Sequence, residues 1–171
     1  MRSNLFLIAV SAANLFGVLA CGGRHVDSGA RNVAGRQLQL GALHLLDGSS
    51  RPVVTAWHKG TLLAFWATWC PNCREEIPVL SRFQSREQED GIEVVGVNSG
   101  ESARRIRLFL QDNPMPYPIA LDTTERLLNQ FGIQSLPAIV LVDRDGIVRY
   151  RADRLPGDPS LLEARLAQRT Y

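Results

Sequence analysis

The stretch TLLAFWATWCPNCREEIPVL, residues 61–80, joins a buried strand to a helix that begins at a pair of cysteines. Residues 61–67 are almost continuously apolar, which is typical of a strand buried on both faces of a sheet. Residues 71–89 place apolar side chains at helical spacing, with Pro71 in the first turn, where a missing N–H is tolerated. Pro78 lies inside this helix and is expected to kink it. A strand that leads directly into a helix is the repeating unit of an α/β fold.

The rest of the chain continues the alternation of strand and helix. Its patterns predict strands at residues 38–40, 43–46, 92–97, 118–121, 138–142 and 147–151, and helices at 101–111, from Asp122 to Gly132, and at 158–168. Asp122 and Glu125 form a capping-box pattern at the start of the second of these helices. Residues 143–146 (DRDG) are a hairpin signal. The order predicts a largely parallel sheet with an antiparallel edge and helices on both faces.

Composition and charge limit the class of protein. The 171 residues are 45% hydrophobic and 21% charged, with a formal net charge of +2 at pH 7. These values are close to the average of globular chains and exclude collagen-like, wholly disordered and multi-span membrane proteins. The nearly balanced charge also argues against a nucleic-acid partner.

Residues 1–20 have the pattern of a secretory signal, with Arg2 followed by an apolar run. That run, from residue 5 to residue 20, reaches about 24 Å as a helix, less than the roughly 30 Å hydrocarbon core of a membrane. It ends in Val-Leu-Ala-Cys at residues 18–21, which resembles the lipobox of bacterial lipoproteins. We therefore expect a lipoprotein signal peptide over 1–20, lipidation of Cys21, a flexible tether over 21–37 and a folded domain over 38–171. An ordinary signal peptide or an uncleaved anchor is the alternative.

Cys70 and Cys73 are the candidate redox pair. Two residues between cysteines at a helix start let both sulfurs meet across one turn, within reach of a disulfide. Because a helix N-terminus lowers the pKa of a thiol placed there, Cys70 is expected to be the exposed nucleophile. Cys73, one turn later and partly buried, is expected to resolve the mixed disulfide. Pro71 and Asn72 between them should tune the reduction potential, and no cofactor is required.

Other interpretations of the cysteine pair compete with redox exchange. A structural disulfide would rarely close so short a loop, because it removes little chain entropy. A zinc site needs two more ligands, and His25, His44 and His58 have no ligand-like spacing, so no metal site is predicted. Two thiolates can bind Cu(I), and a copper carrier therefore remains a rival. The C-x-x-C beside a βαβ pattern favours the redox interpretation.

Residues 65–78, FWATWCPNCREEIP, resemble the active-site segment of the TlpA/ResA-like thioredoxins. These are membrane-tethered thiol-disulfide oxidoreductases that face the cell envelope. The resemblance extends from about residue 38 to the C-terminus. It implies a thioredoxin fold, with a central mixed sheet flanked by helices and a short N-terminal β extension. The helix–strand unit at about 101–121 matches the insertion that separates this group from plain thioredoxin.

Glu76 is the third candidate catalytic residue. It lies three positions after Cys73, on the same helix face, whereas Glu75 points elsewhere, to solvent. A carboxylate behind the resolving thiol can accept its proton if burial raises the carboxyl pKa. The resemblance places the glutamate of CxxCxxExP in the active site, and Ala64 stands where plain thioredoxins keep a buried acid. A solvated helix glutamate is the alternative.

Pro137 and Leu136 are the candidate substrate-binding residues across from the cysteine pair. By resemblance, Pro137 is the cis-proline that faces the cysteine pair, an isomer that is accessible essentially only before proline. It would present the backbone of Leu136 to an extended substrate as a strand edge. A plain strand boundary is the alternative. Trp69 is expected to shield or present the first cysteine and to contact substrate, and Trp66 is expected to lie in the core.

The resemblance also implies function and partners. It implies a lipid-anchored reductant on the extracytoplasmic face of a bacterial membrane, acting on disulfides of client proteins such as apocytochrome c or copper-site assembly proteins. Since no glutathione pool re-reduces proteins there, a transmembrane thiol carrier is the implied electron donor. A Cu(I) carrier is one alternative, although related copper-delivery proteins use a wider cysteine spacing and a histidine. A thiol peroxidase is another, although the chain lacks the Pro-x-x-x-Thr-x-x-Cys pattern of peroxiredoxins.

Overall fold

The computed structural model describes residues 35, 37, 40–87 and 91–168. The predicted signal peptide, Cys21 and most of the predicted tether lie outside the described residues, as do residues 38 and 39. Gln37, at the end of the predicted tether, forms an isolated bridge with Ile147. Within the described ranges, no helix combines the length and apolarity needed to cross a membrane.

The described residues form two sheets and four α-helices. The strands are β1 (Ala42–His44), β2 (Ser50–Pro52), β3 (Gly60–Trp66), β4 (Ile92–Ser99), β5 (Ile119–Asp122), β6 (Ala138–Asp143) and β7 (Val148–Ala152); the helices are α1 (Pro71–Arg86), α2 (Ala103–Asp112), α3 (Arg126–Gln130) and α4 (Ser160–Ala167). The main sheet has the order β5-β4-β3-β6-β7, and β1 and β2 form a separate antiparallel pair. The predicted order of strands and helices from β3 onward is confirmed.

Strand β3 occupies the centre of the main sheet because both of its faces are apolar. All its residues are buried, and it pairs in parallel with β4 and antiparallel with β6. Leu63 and Phe65 face one core with α3 and the β1–β2 pair. Leu62 and Ala64 face a second core, which also contains the two cysteines and side chains of α1, α2 and α4.

The strand directions bring several loops to one edge of the sheet. β3, β4 and β5 are parallel, so the loops that follow their carboxyl ends meet at that edge. β6 is antiparallel to β3 and pairs Ala138 with Phe65, so it begins at the same edge. The cysteine pair after β3, Glu101 after β4 and Pro137 before β6 are therefore brought together from distant parts of the sequence.

The helix predicted from Asp122 begins later than the sequence indicates. Asp122 is the last residue of β5 and pairs with Ser99, so its backbone stays extended. Glu125 does not complete a capping box; it precedes α3 with φ of 56°, in the left-handed region. The Asp122 carboxylate nevertheless accepts hydrogen bonds from the N–H groups of Leu127 and Leu128, at 3.0 and 2.9 Å. The Asp122 side chain therefore caps α3, although Asp122 itself lies in β5 and not next to the helix. The predicted capping box was wrong.

Smaller differences concern short or exposed segments. The first predicted helix ends at Arg86 rather than near residue 89, and it continues through Pro78. The strand predicted at 43–46 is β1, at Ala42–His44. β2 has no buried residue, so it lacks the apolar alternation by which a sequence reveals a strand.

Position 96 must be glycine because the surrounding core leaves no room for a Cβ atom. It is buried in β4, and a Cβ atom there would lie 2.9 Å from Ile119 Cδ1 and 3.2 Å from both Trp66 Nε1 and Tyr117 Cε2. We expect Gly96→Ala to lower the free energy of unfolding by about 1–3 kcal/mol, the usual cost of overpacking a core. Urea unfolding would measure it, with Gly157→Ala as the control, because nothing lies within 4 Å of a Cβ at that position. Equal stability of the two variants would contradict this account of the packing.

Candidate active site

The cysteine pair closes a disulfide at the N-terminus of α1. Cys70 and Cys73 are bonded, with their Cα atoms 5.3 Å apart. Cys70 is the N-cap residue of α1, and its Sγ accepts a hydrogen bond from the Cys73 N–H at 3.2 Å. Pro71 follows in the first turn. The predicted meeting of the two sulfurs across one turn is confirmed.

The predicted exposure of Cys70 was wrong. Cys70 is only 3% exposed and Cys73 2%. The cause is the second core beneath the helix end, which includes Cys70, while its Sγ accepts the Cys73 N–H. The rim around the pair is open instead: Pro71 and Asn72 are exposed, and Trp69 is 61% exposed. A molecule that approaches the pair from solvent therefore meets this rim before it meets sulfur.

Glu76 lies behind Cys73, as its position on the helix predicts. It is 7% exposed, and it lines, with Cys73 and Pro137, a cavity of about 10 Å³. Its Oε1 accepts a hydrogen bond from the N–H of Leu155 at 2.6 Å. Glu75, by contrast, has a 70% exposed side chain. The buried position excludes the solvated-glutamate alternative for Glu76.

Tyr117, which the sequence patterns do not mark as a site residue, lines the same cavity. Burial raises the pKa of the Tyr117 hydroxyl, and the negative charge of Glu76 raises it further. Trp66 forms another part of the wall, and its placement in the core is confirmed. Its buried Nε1–H has no hydrogen-bond partner among the described residues. Ala64 also lines the cavity, so no second acid approaches Cys73 from β3.

Pro137 lines the cavity from the side of β6. The Leu136–Pro137 peptide bond is cis, which confirms the prediction made for this bond. Pro137 is buried and Leu136 is half-buried. Leu136 packs against both cores. The pair therefore stands at the start of β6 on the same edge of the sheet as the disulfide.

A buried carboxylate, Glu101, holds the loop just before the cysteines. It is 7% exposed and accepts hydrogen bonds from the N–H and the hydroxyl of Thr68, both at 2.7 Å, and from Nδ2 of Asn98 at 2.9 Å. Nε of Arg105 lies 2.8 Å from its Oε1. Burial opposes ionisation of Glu101, but the hydrogen bonds from Asn98 and Thr68 and the charge of Arg105 outweigh it and lower its pKa.

Metal ligands are not grouped in the part of the chain that the structure describes. It contains no cluster of three or more His, Cys, Asp or Glu side chains able to hold an ion. The ring of His44 hydrogen-bonds Ser50, and the ring of His58 hydrogen-bonds Thr55. Cys21 and His25 lie outside the described residues.

Comparison with known proteins agrees with this geometry. Residues 42–151 match the AhpC/TSA family. The chain belongs to the AhpC/TSA family. It is 32% identical over 104 residues to the thiol-disulfide oxidoreductase ResA of Geobacillus thermodenitrificans, an alignment that covers 61% of this chain and 60% of that protein. The chain thus matches about three fifths of this relative's length, and the predicted resemblance to ResA-like proteins is confirmed.

Solved structures confirm the thioredoxin-like fold of this AhpC/TSA family member. A candidate thiol:disulfide interchange protein DsbE from Chlorobium tepidum superposes with a TM-score of 0.67 at 26% identity, covering 78% of this chain and 94% of that one. StoA from Bacillus subtilis superposes with a TM-score of 0.62 at 22% identity, covering 74% and 95%. The predicted central mixed sheet with flanking helices is therefore confirmed.

Sequence patterns missed the polar residues that surround the pair from other elements. In this AhpC/TSA family member, the pattern marked Glu101 only as a helix start, and it gave no role in the site to Thr68, which lies inside the 65–78 motif, or to Tyr117. One signal was available for Glu101: an acidic residue directly after β4, the parallel neighbour of β3, falls at the edge of the sheet where the cysteines lie. No such local signal exists for Tyr117.

Proposed function

We propose that this protein is a lipid-anchored thiol-disulfide oxidoreductase of a bacterial cell envelope, and that it reduces disulfides in client proteins. The observation that carries the proposal is the Cys70–Cys73 disulfide at the N-terminus of α1, beside cis-Pro137. The similarity to a relative named thiol-disulfide oxidoreductase supports the same chemistry.

The reaction begins from the reduced pair. The Cys70 thiolate attacks one sulfur of a client disulfide, a new bond forms between Cys70 and that sulfur, and the other client sulfur leaves as a thiolate. The N-terminus of α1 and the Cys73 N–H, 3.2 Å from Cys70 Sγ, stabilise negative charge on Cys70. Cys73 then attacks Cys70 Sγ and expels the second client thiolate. The client gains two electrons and the pair becomes a disulfide.

Glu76 serves the second step in this proposal. Cys73 must lose its proton before it attacks, and Glu76 lines the same small cavity. Because one of its oxygens is held by the N–H of Leu155, the carboxylate has a fixed position behind the thiol. We assign it the role of proton acceptor for Cys73.

Client binding is assigned to the rim of the pair. The backbone of Leu136 offers a strand edge to an extended client segment, and cis-Pro137 keeps a backbone N–H away from the sulfurs. Trp69 supplies an exposed aromatic surface next to Cys70. Pro71 and Asn72, both exposed between the cysteines, are assigned to tuning of the reduction potential.

The cellular setting rests on the N-terminal sequence. A signal peptide over 1–20 and lipidation of Cys21 would tether the domain, and the several acyl chains of a mature lipoprotein hold far more firmly than one. In that oxidising space a transmembrane thiol carrier is the proposed electron donor. Apocytochrome c cysteines and copper-site assembly proteins are the proposed classes of client.

The full-length protein is expected to catalyse reduction of insulin by dithiothreitol, because the insulin disulfide is a generic protein substrate for exchange. Turbidity from the precipitating insulin B chain measures the rate. Cys70→Ala is expected to lower the rate to that of dithiothreitol alone. Stoichiometric Cu(I) binding without insulin reduction would contradict the proposal and favour a copper carrier, and peroxide turnover without it would favour a thiol peroxidase.

A further inference from the structure

Thr68 is held at each of its polar atoms. Its N–H and hydroxyl donate to Glu101, and the hydroxyl oxygen accepts from Nε of Arg105 at 2.9 Å. Its carbonyl accepts from Nε and Nη2 of Arg74, at 3.3 and 2.8 Å. Thr68 is itself buried. The residue two positions before the first cysteine is therefore fixed by one carboxylate and two guanidinium groups.

The residue after Thr68 is the exposed Trp69. A hydrogen bond from the Cys70 N–H to the Ala67 carbonyl, at 3.2 Å, closes a turn that has Thr68 and Trp69 at its corners. Within the described residues, four large hydrophobic side chains are exposed, and Trp69 is the one that adjoins the disulfide. Tryptophan is enriched among the residues that contribute most of the binding energy at protein interfaces.

The inserted α2 unit supplies most of the contacts that fix this turn. Glu101 precedes the helix, and Arg105 and Phe109 follow at intervals of four residues, which places the three on one face. The Phe109 ring packs against the Trp66 ring, with the centroids 5.4 Å apart and the planes tilted by 41°, and the Arg74 guanidinium lies over the Phe109 ring at 5.5 Å. One face of α2 therefore packs along the segment from the end of β3 to the start of α1.

We propose that Glu101 is a positioning residue, which fixes Thr68 so that Trp69 is held ready as the docking anchor for client proteins at Cys70. This inference rests on the proposed function and deepens it. Glu101 does not touch the reacting sulfurs; it acts through Thr68. A client that binds Trp69 then loses little conformational freedom in the turn, because the turn is already ordered before binding.

The substitution Glu101→Gln isolates the carboxylate with little change in shape. The glutamine NH₂ group replaces one carboxylate oxygen. Because NH₂ is a donor, it cannot accept a hydrogen bond from Thr68, Asn98 or Arg105 at that position. We expect KM for insulin to rise about tenfold, the effect of one charge-assisted hydrogen bond, with kcat within about twofold. The rate with hydroxyethyl disulfide, too small to need an aromatic anchor, should stay within about twofold of wild type. Glu163→Gln, an equal change on the exposed face of α4, is the matched control.

A second pair of variants approaches the contact from Thr68. Thr68→Val keeps the shape of the side chain and removes the hydroxyl, so it should reproduce the rise in KM. Thr68→Ser keeps the hydroxyl and should restore values near wild type. In a Trp57→Phe background, where Trp69 is the remaining exposed tryptophan of the described residues, fluorescence anisotropy should fall in Glu101→Gln because the indole moves more freely.

A double-mutant cycle tests whether the effect passes through Trp69. Trp69→Ala should raise KM for insulin by itself, and adding Glu101→Gln should change it little further, because two residues that act as a unit are not additive. Three results would each overturn the inference. Glu101→Gln could lose as much activity with hydroxyethyl disulfide as with insulin, or its insulin kinetics could match those of Glu163→Gln. In the cycle, the increases in KM from Trp69→Ala and Glu101→Gln could prove additive. If the wild type itself fails to reduce insulin, the proposed function fails instead.

Discussion

Replacing Cys73 with alanine is expected to stop turnover and to leave client proteins covalently bound to Cys70. The first attack needs only Cys70, whose Sγ accepts a hydrogen bond from the backbone N–H of residue 73. Alanine retains that N–H, so stabilisation of the Cys70 thiolate should survive the substitution. The second attack needs the Cys73 sulfur, and without it the mixed disulfide has no internal route to products.

The measurement is the recovery of mixed disulfides from cells that express the full-length variant. Thiol alkylation at lysis, non-reducing electrophoresis and mass spectrometry identify each partner. Cys70→Ala is the matched control, since it keeps Cys73, to which the proposal assigns only the second attack. Absence of adducts with Cys73→Ala, or equal adducts with both variants, would show that Cys70 is not the attacking sulfur. The identities of the captured clients decide between cytochrome c maturation and copper-site assembly.

The centre of this fold could be predicted from sequence because its signals are local. The continuous apolar run of β3 has one compatible place, the middle of a sheet covered on both faces. The cysteine spacing, with Pro71 at the first turn, fixes the disulfide to the N-terminus of α1. Glu76 follows from the same helix geometry, since three residues bring it to the face of Cys73.

The features that escaped prediction depend on contacts between distant segments. Asp122 pairs with Ser99 and therefore stays in β5. The helix that the Asp122 side chain caps begins later in the sequence for this reason. Glu101 is buried because a loop from β3 supplies donors to it. The low exposure of Cys70 results from the core beneath the helix end. In each case a tertiary contact overrides the local pattern, and no spacing within the sequence reports it.

Glu76→Gln is expected to slow the attack of Cys73 on the mixed disulfide by about 100-fold at neutral pH, the lower end of the usual effect of a positioned proton acceptor. Glutamine retains a carbonyl oxygen for the Leu155 N–H, so the fold should tolerate the change, whereas the amide cannot take a proton from the thiol. Glu75→Gln, two residues away from Cys73 and exposed to solvent, is the control and should match wild type.

The pH profile distinguishes a proton acceptor from a structural side chain. Without Glu76, Cys73 must lose its proton to solvent, so the variant should recover as pH rises toward the ordinary thiol pKa of about 8.5. Tyr117 does not interfere, because burial raises its pKa and keeps the phenol protonated between about pH 6 and 9 in the variant, and in wild type the Glu76 charge raises that pKa further. Single-turnover stopped-flow measurements across that range would follow the step. If the pH profiles of Glu76→Gln and wild type have the same shape, Glu76 takes no part in the proton transfer. Its role would then be limited to the hydrogen bond with Leu155.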